Sequence, residues 1–159
     1  AGYRRIAFLG GDDPQDTRGA QRRQGFVAAM QALGLDASRL VAAGPPPVSM
    51  QGGAAAMGRL LDSHPDTDAV ICVSDLSAFG ALTTCQRRGM AVPQHIAIAG
   101  FGDYDIAAVA VPSLTTINPF PRRIGAEAAA LILRVLDGAQ TNTAWVEIPP
   151  ALVPRESSR

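Results

Sequence analysis

Ala69-Val70-Ile71-Cys72-Val73-Ser74-Asp75-Leu76-Ser77-Ala78-Phe79-Gly80-Ala81 is the stretch on which the reading of the fold turns. Five apolar residues in an unbroken run, without polar alternation, describe a strand covered on both faces. Ser74 and Asp75 are of the types that accept hydrogen bonds from the free N–H groups of a helix start. Behind them Phe79, Leu82 and Cys85 fall close to one helical face, and Gly89 closes the helical run Leu76–Arg88. Strand, polar loop and helix in that order are half of a βαβ unit.

The same half-unit recurs on either side. Arg5–Leu9 is an apolar run ending in Gly10-Gly11, and from Arg18 to Leu33 the residues Phe26, Met30 and Leu33 sit at helical spacing before Gly34. Arg39–Ala43 is a second strand, closed by Gly44 and Pro45–Pro47. Met50–Ser63 is a helix with Ala54, Met57 and Leu61 on one face. His95–Phe101 is a fourth strand, introduced by Val92-Pro93. Strands thus start near residues 5, 39, 69 and 95, and a spacing of about thirty residues is that of βαβ units. The expected fold class is α/β, a doubly wound parallel sheet with helices on both faces. The 159 residues are enough for one such domain.

The last third breaks this rhythm. Val111–Ile117 is extended, and Asn118-Pro119-Phe120-Pro121 has the character of a hinge. Ile124–Leu136 is a helix with Ile124, Ala128, Leu131 and Val135 on one stripe. Trp145–Val153 is strand-like but carries Pro149-Pro150, which places it at an edge. A helix isolated between two proline-punctuated arms belongs more naturally to a neighbouring lobe than to the sheet that precedes it.

Composition removes several classes of function. Fourteen basic residues balance fourteen acidic ones, whereas a chain that grips nucleic acid by itself carries a basic excess. Every basic residue is arginine, which excludes Schiff-base and P-loop lysine chemistry. A phosphorelay receiver also needs a lysine. No G-x-G-x-x-G fingerprint follows the first strand, and neither a G-x-S-x-G elbow nor a Walker motif occurs. Cys72, Cys85, His64 and His95 are too few and too scattered for a zinc site or a cysteine–histidine pair. No cofactor or metal is expected. No apolar run reaches the roughly 18 residues of a membrane span, and no signal peptide opens the chain. The start at Ala1-Gly2-Tyr3, without methionine and directly before a strand, has the look of an excised fragment.

Ligands of open α/β sheets bind beyond the carboxyl ends of the strands, near the switch in strand order. The loops Gly10–Arg18, Ser74–Ser77 and Gly100–Asp105 are therefore the candidates. They bring Asp12, Asp13, Asp16, Arg18, Ser74, Asp75, Asp103 and Asp105, with Arg22 in the helix that follows the first loop. Carboxylates there accept from hydroxyl groups, and Arg18 or Arg22 meets an anionic group. Plainer roles stand beside these: Asp75 or Ser74 as a helix cap, Asp12 and Asp13 as solvated loop residues, Arg22 as a surface charge.

Gly2–Gly10, Arg22-Arg23-Gln24-Gly25-Phe26, Val73-Ser74-Asp75-Leu76-Ser77-Ala78-Phe79-Gly80-Ala81, Ile96–Asp103 and Pro112–Ile117 occur in an order and at spacings that resemble the LacI/GalR family of bacterial transcriptional regulators. Ala97–Ala107 is similar to its gluconate-repressor branch. The resemblance implies an effector-binding unit of the periplasmic-binding-protein type, with two α/β lobes joined by three crossovers and the ligand between them. Residues 1–117 would be the C-terminal lobe. Residues 118–141 would be a crossover and a helix of the N-terminal lobe, and residues 142–159 the return strand and tail. The DNA-binding headpiece and most of the N-terminal lobe would lie outside this sequence.

Carried over position by position, the resemblance implies ligand contacts at Arg22, Arg18, Ser74, Asp103 and Phe120, beside which Asp75 and Asp16 are expected contacts from the candidate loops. Gly102 stands where family members often have an aspartate, a departure compatible with a sugar acid. The resemblance also implies a homodimer through Ala78, Leu82, Ile106, Ala107 and Val109. The expected function is sensing of a sugar or sugar acid by a cytoplasmic regulator, with operator DNA bound only through the headpiece and no membrane partner. A periplasmic sugar-binding protein of a transport system is the alternative, and a carbohydrate hydrolase a more distant one.

Overall fold

A computed structural model describes residues 2–11, 13, 15–138 and 145–159. Asp12, and the junction of the segments 118–141 and 142–159, lie outside the described residues. The chain runs β1 (Ile6–Gly10), α1 (Thr17–Ala32), β2 (Leu40–Ala42), α2 (Met50–Ser63), β3 (Ala69–Cys72), α3 (Asp75–Arg87), β4 (Ala97–Ala99), α4 (Asp105–Val109), β5 (Thr116–Asn118), α5 (Pro121–Leu136) and β6 (Ala151–Val153), with a final 3-10 turn at Glu156–Ser158.

β1 to β4 form a parallel sheet in the order β2-β1-β3-β4. The chain moves from β1 to β2 in one direction and then back past β1 to β3 and β4. Right-handed crossovers place α1 on one face of such a sheet and α2 and α3 on the other. Phe8 points to the α1 face, where its ring meets Phe26 of α1 at a centroid distance of 5.5 Å. Ala7 and Leu9 alternate to the opposite side and are wholly buried. The doubly wound α/β class expected from the apolar runs is the fold observed.

The helix boundaries follow from caps. Asp16 accepts from the Gly19 N–H at the start of α1, and Ser49 accepts from the Gly52 N–H at the start of α2. α2 and α3 approach so closely that their backbones touch. A Cβ at Gly80 would collide with the Met50 carbonyl oxygen, and one at Gly53 with the Ser77 carbonyl oxygen. Glycine is required at both positions by contact alone, since both lie inside ordinary helices.

Several expected elements differ from those observed. The fourth strand shrinks from His95–Phe101 to Ala97–Ala99, because His95 is tied into a turn by accepting the Ala91 N–H at Nδ1. Trp145–Val153 pairs only over Ala151–Val153, because Pro149 and Pro150 have no N–H to give a ladder. The short helix α4 was not expected, its five residues being too few to show a period. α5 begins at Pro121, three residues before the expected start, with proline in the first turn.

β5 lies beside β4 through a parallel bridge between Ala99 and Thr115, and β6 pairs with β5 antiparallel. The tail is anchored by Ser157, which is fully buried, donates to the Ile98 carbonyl at 2.6 Å and accepts from the Thr115 N–H at 2.9 Å. α5 is different from every other long helix: none of its residues is buried, and Leu136 is 76% exposed. Among the described residues no helix is long and apolar enough to cross a membrane.

Gly80→Ala should destabilise the protein by about 3 kcal/mol, at or above the usual overpacking range because backbone rather than a side chain must move. The shift of the urea unfolding midpoint at unchanged slope is the measurement. A midpoint like that of the unsubstituted protein would contradict the close α2–α3 approach.

Candidate functional site

The loops at the carboxyl ends of the four parallel strands surround a cleft of about 170 Å³. It sits where the strand order reverses, between the segment after β1 and the segment after β3, the usual place for a ligand in an open α/β sheet. Asp16, Arg18 and Arg22 come from the start of α1. Pro46, Pro47 and Val48 follow β2, Val73, Ser74 and Leu76 follow β3, and Tyr104 precedes α4.

Arg22 is the best-defined member. Its Nη1 donates to the Val73 carbonyl at 3.0 Å, and its guanidinium lies over the Phe101 ring, 3.8 Å from the centroid. Both contacts hold the plane of the fork in place at the ends of β3 and β4 while leaving other N–H donors available. Partial burial holds its pKa below the ordinary arginine value, and the neighbouring charge of Arg18 lowers it further. Arg18 lies one turn earlier on the same side of α1 and is exposed. Asp16 lines the cleft too, but its Oδ1 is committed to the Gly19 N–H at 3.0 Å.

Ser74 is the N-cap of α3, in a reciprocal capping box with Ser77. Its neighbour Asp75 is the first helical residue and is fully buried. One Asp75 oxygen accepts from Thr116 Oγ1 at 2.6 Å and the other from the Tyr104 N–H at 2.8 Å. Gly100 makes room for it, since a Cβ there would collide with Asp75 Oδ1. Asp75 therefore faces the interior and offers nothing to a ligand in this structure, and the cap that it could have been is Ser74.

Asp103 and Phe120 also lie outside the residues that line the cleft. Asp103, in the left-handed region at φ 54°, accepts from Arg155 Nη2 at 2.6 Å and from Asn118 Nδ2 at 2.8 Å. Phe120, at φ 55°, stands at the head of α5 with its N–H on Asn118 Oδ1. So of the seven expected ligand contacts, Asp16, Arg18, Arg22 and Ser74 come together, and Asp75, Asp103 and Phe120 do not. Pro46, Pro47 and Val48 are lining residues that the candidate loops omitted, while Leu76 and Tyr104 lay inside those loops without being singled out. The loop after β2 ends a parallel strand like the others, and that rule alone was signal enough to include it.

Three of the expected dimer contacts need correction. Ala78 and Ala107 are 0% exposed and Leu82 is 1% exposed within the chain's own core, so they have no surface to give to a second copy. α3 turns Ala78 and Leu82 inwards, and its partly exposed face is made by Leu76, Phe79 and Thr83 instead. Val109 is 74% exposed and Ile106 is half-buried.

Nothing in the geometry assembles a cysteine nucleophile. Burial pushes the Cys85 thiol up to about 11 and raises Cys72 further, so neither is a thiolate near neutral pH. The histidines are engaged locally, His64 with Ser63 and His95 with the Ala91 N–H. Among the described residues no group of three or more His, Cys, Asp and Glu side chains could hold a metal ion.

With the cleft described, comparison with known proteins defines its class. The model of the periplasmic binding protein-like domain family matches residues 1–158. The HTH-type transcriptional regulator CelR of Thermobifida fusca is 36% identical over 158 residues, covering 98% of this chain and 45% of CelR. A LacI family transcriptional regulator from Silicibacter pomeroyi superposes with a TM-score of 0.91 at 40% identity, covering 99% of this chain and 57% of that one. A CelR–cellobiose complex superposes with a TM-score of 0.87 at 34% identity, covering 99% and 47%. The chain belongs to the periplasmic binding protein-like domain family, in the form carried by LacI-family transcriptional regulators. It spans about half the length of the relatives it matches, as the 45% coverage of CelR states.

Two outcomes follow from the site. Asp75→Ala leaves the Tyr104 N–H and the Thr116 hydroxyl without a partner, and should cost about 3 kcal/mol in urea unfolding, with Asp75→Asn costing less. Cys72 and Cys85 should resist a thiol-specific aromatic disulfide in the native protein at pH 7.5 and react fully in denaturant. Rapid native labelling of either would contradict their burial.

Proposed function

We propose that this chain is one lobe of the effector-sensing unit of a LacI-type transcriptional regulator acting in the cytoplasm, and that its effector is a sugar or sugar acid. The observation that carries this reading is the convergence of Asp16, Arg18, Arg22 and Ser74 on one cleft at the strand-order switch of this fold. The cleft, at about 170 Å³, is below the usual range of about 300–1,000 Å³ for a small-molecule site. That is the size expected of half a site closed by a second lobe. α5 and the segment around it then belong to that second lobe, which accounts for a long amphipathic helix with no buried residue. The known complex of CelR with cellobiose supports a carbohydrate-like ligand.

The parent protein acts as a homodimer in this reading, with Val109, Val111 and Ile106 on the exposed apolar surface available to the partner. Operator DNA is contacted by other parts of the parent, because this chain has no charge excess to offer it. Ligand favours one arrangement of the two lobes, and the dimer carries that choice to the DNA. The relatives are regulators rather than transport proteins or enzymes, which favours sensing over delivery or turnover.

Arg22→Ala in the full-length regulator should weaken effector binding by at least about tenfold, the scale of one charge-assisted hydrogen bond. Operator affinity without effector should remain. Calorimetry for the effector and a DNA mobility shift for the operator read the two separately, and unchanged effector affinity would sink the assignment of Arg22.

A further inference from the structure

We infer that Asn118 is a positioning residue of the joint between the lobes: its amide bridges the Asp103 carboxylate and the Phe120 N–H, and so biases the chain towards one way of turning from β5 into α5. The inference rests on the effector-sensing reading above, which places α5 in the second lobe, and adds the side chain that sets how that lobe is held.

Among the described residues, Asp103 and Phe120 are the two other than glycine that hold a positive φ, at 54° and 55°. Residues with a Cβ rarely adopt this region, and it persists where the surroundings impose it. Phe120 carries a second restriction, because Pro121 follows it and a residue before proline is pushed towards extended backbone. Asn118 is bonded to both of these strained residues. Its Nδ2 donates to Asp103 Oδ2 at 2.8 Å, and its Oδ1 accepts from the Phe120 N–H at 2.7 Å. An amide has one donating end and one accepting end, so a single setting of the group serves both partners. Phe120 is the N-cap of α5 but makes no side-chain cap of its own. The turn into α5 is held by the Asn118 amide instead.

The two ends of this bridge are anchored unequally. Asp103 is fixed to the body of its own lobe. Its Oδ1 accepts from Arg155 Nη2 at 2.6 Å. Arg155 in turn donates to the Leu114 carbonyl at 2.9 Å and, through its backbone N–H, to Thr115 Oγ1 at 2.8 Å. Beside Asp103, the Gly102 N–H donates to the Ile117 carbonyl at 2.9 Å. α5 has no comparable fixing: none of its residues is buried, and Asn118 supplies the side-chain bond to the residue at its head. A hydrogen bond onto a carboxylate is about twice as strong as one between neutral groups. The Asn118 amide thus links the start of α5 to a loop that is itself held firm. A ligand that favours another arrangement of the lobes works against this bond.

The test uses the full-length regulator without any added small molecule, spin-labelled at Leu33→Cys on α1 and Leu136→Cys on α5 in a background free of other exposed cysteines. Both positions are exposed, at 71% and 76%, and Cys72 and Cys85 are buried. Pulsed electron resonance reads the distances, and singly labelled protein identifies those between protomers. The unsubstituted protein should show one sharp maximum between α1 and α5. Asn118→Asp sets a carboxylate against that of Asp103, and Asn118→Ser is too short to reach both partners. Each should lose the sharp maximum, folding being checked by urea unfolding. Asp103→Asn combined with Asn118→Asp reverses donor and acceptor, keeps an oxygen for Arg155 and suits the positive φ. That pair should restore the maximum. Operator affinity should follow the same pattern with changes of about tenfold, the scale of one charge-assisted hydrogen bond. A broad distribution in the unsubstituted protein overturns the inference, as does an unchanged one in either single variant or a reversed pair that restores nothing. Distances that respond while operator affinity does not would uphold the role of Asn118 and sink the regulator reading instead.

Discussion

A single buried carboxylate sets the geometry on which the cleft depends. Asp75 begins α3 behind the cleft, yet its oxygens are bound by the Tyr104 N–H and the Thr116 hydroxyl. Three separate parts of the chain are thereby fixed to one another: the turn after β3, the segment after β4, and the strand β5. A buried polar group must keep its partners, because losing one leaves an uncompensated polar atom in a medium that solvates it poorly. The position of Tyr104 on the cleft wall and the position of Ser74 beside Arg22 are both consequences of this one group. Its role is to hold in place residues that line the cleft.

The parts of this structure legible in the sequence are those governed by local pattern. The helix Met50–Ser63 was expected with the bounds observed, because Ala54, Met57 and Leu61 repeat at helical spacing, and the structure adds Ser49 as its cap. The continuous apolar run at Ala69–Val73 disclosed a central parallel strand for the same reason. What the sequence could not disclose was set by partners distant along the chain. Whether Ser74 or Asp75 turns outward is decided by Thr116, 41 residues from Asp75. Asp103 was read as a ligand contact because nothing near it in sequence shows the guanidinium of Arg155, 52 residues on. Ala78 and Leu82 were assigned to an interface through the family resemblance, which does not show that both side chains are buried in the chain's own core.

The charge economy of the chain has a spatial logic. At the amino-terminal ends of the strands, Arg39 pairs with Asp66 through two bonds of 2.9 and 3.0 Å, and Arg5 lies near Asp66 and Asp68. At the carboxyl-terminal ends Asp16 caps α1, Asp75 is buried and Asp103 is paired with Arg155, while Arg18 and Arg22 line the cleft. A chain with zero net charge thus presents a locally positive recess, because low-dielectric walls keep nearby charges from being averaged away.

The ladder between β5 and β6 has a mechanical consequence. Thr116 opposes Val153, Ile117 opposes Leu152 and Asn118 opposes Ala151, and the first of these strands runs directly towards α5. Sliding one strand past the other by a single residue would break every bond of the ladder and turn each side chain to the opposite face. Twisting a two-stranded ribbon about its own axis keeps the bonds intact, and such ribbons take larger twists than broad sheets. Whatever body is carried beyond this ribbon is therefore free to rotate and hindered from translating: the fold leaves it, in effect, a torsional joint.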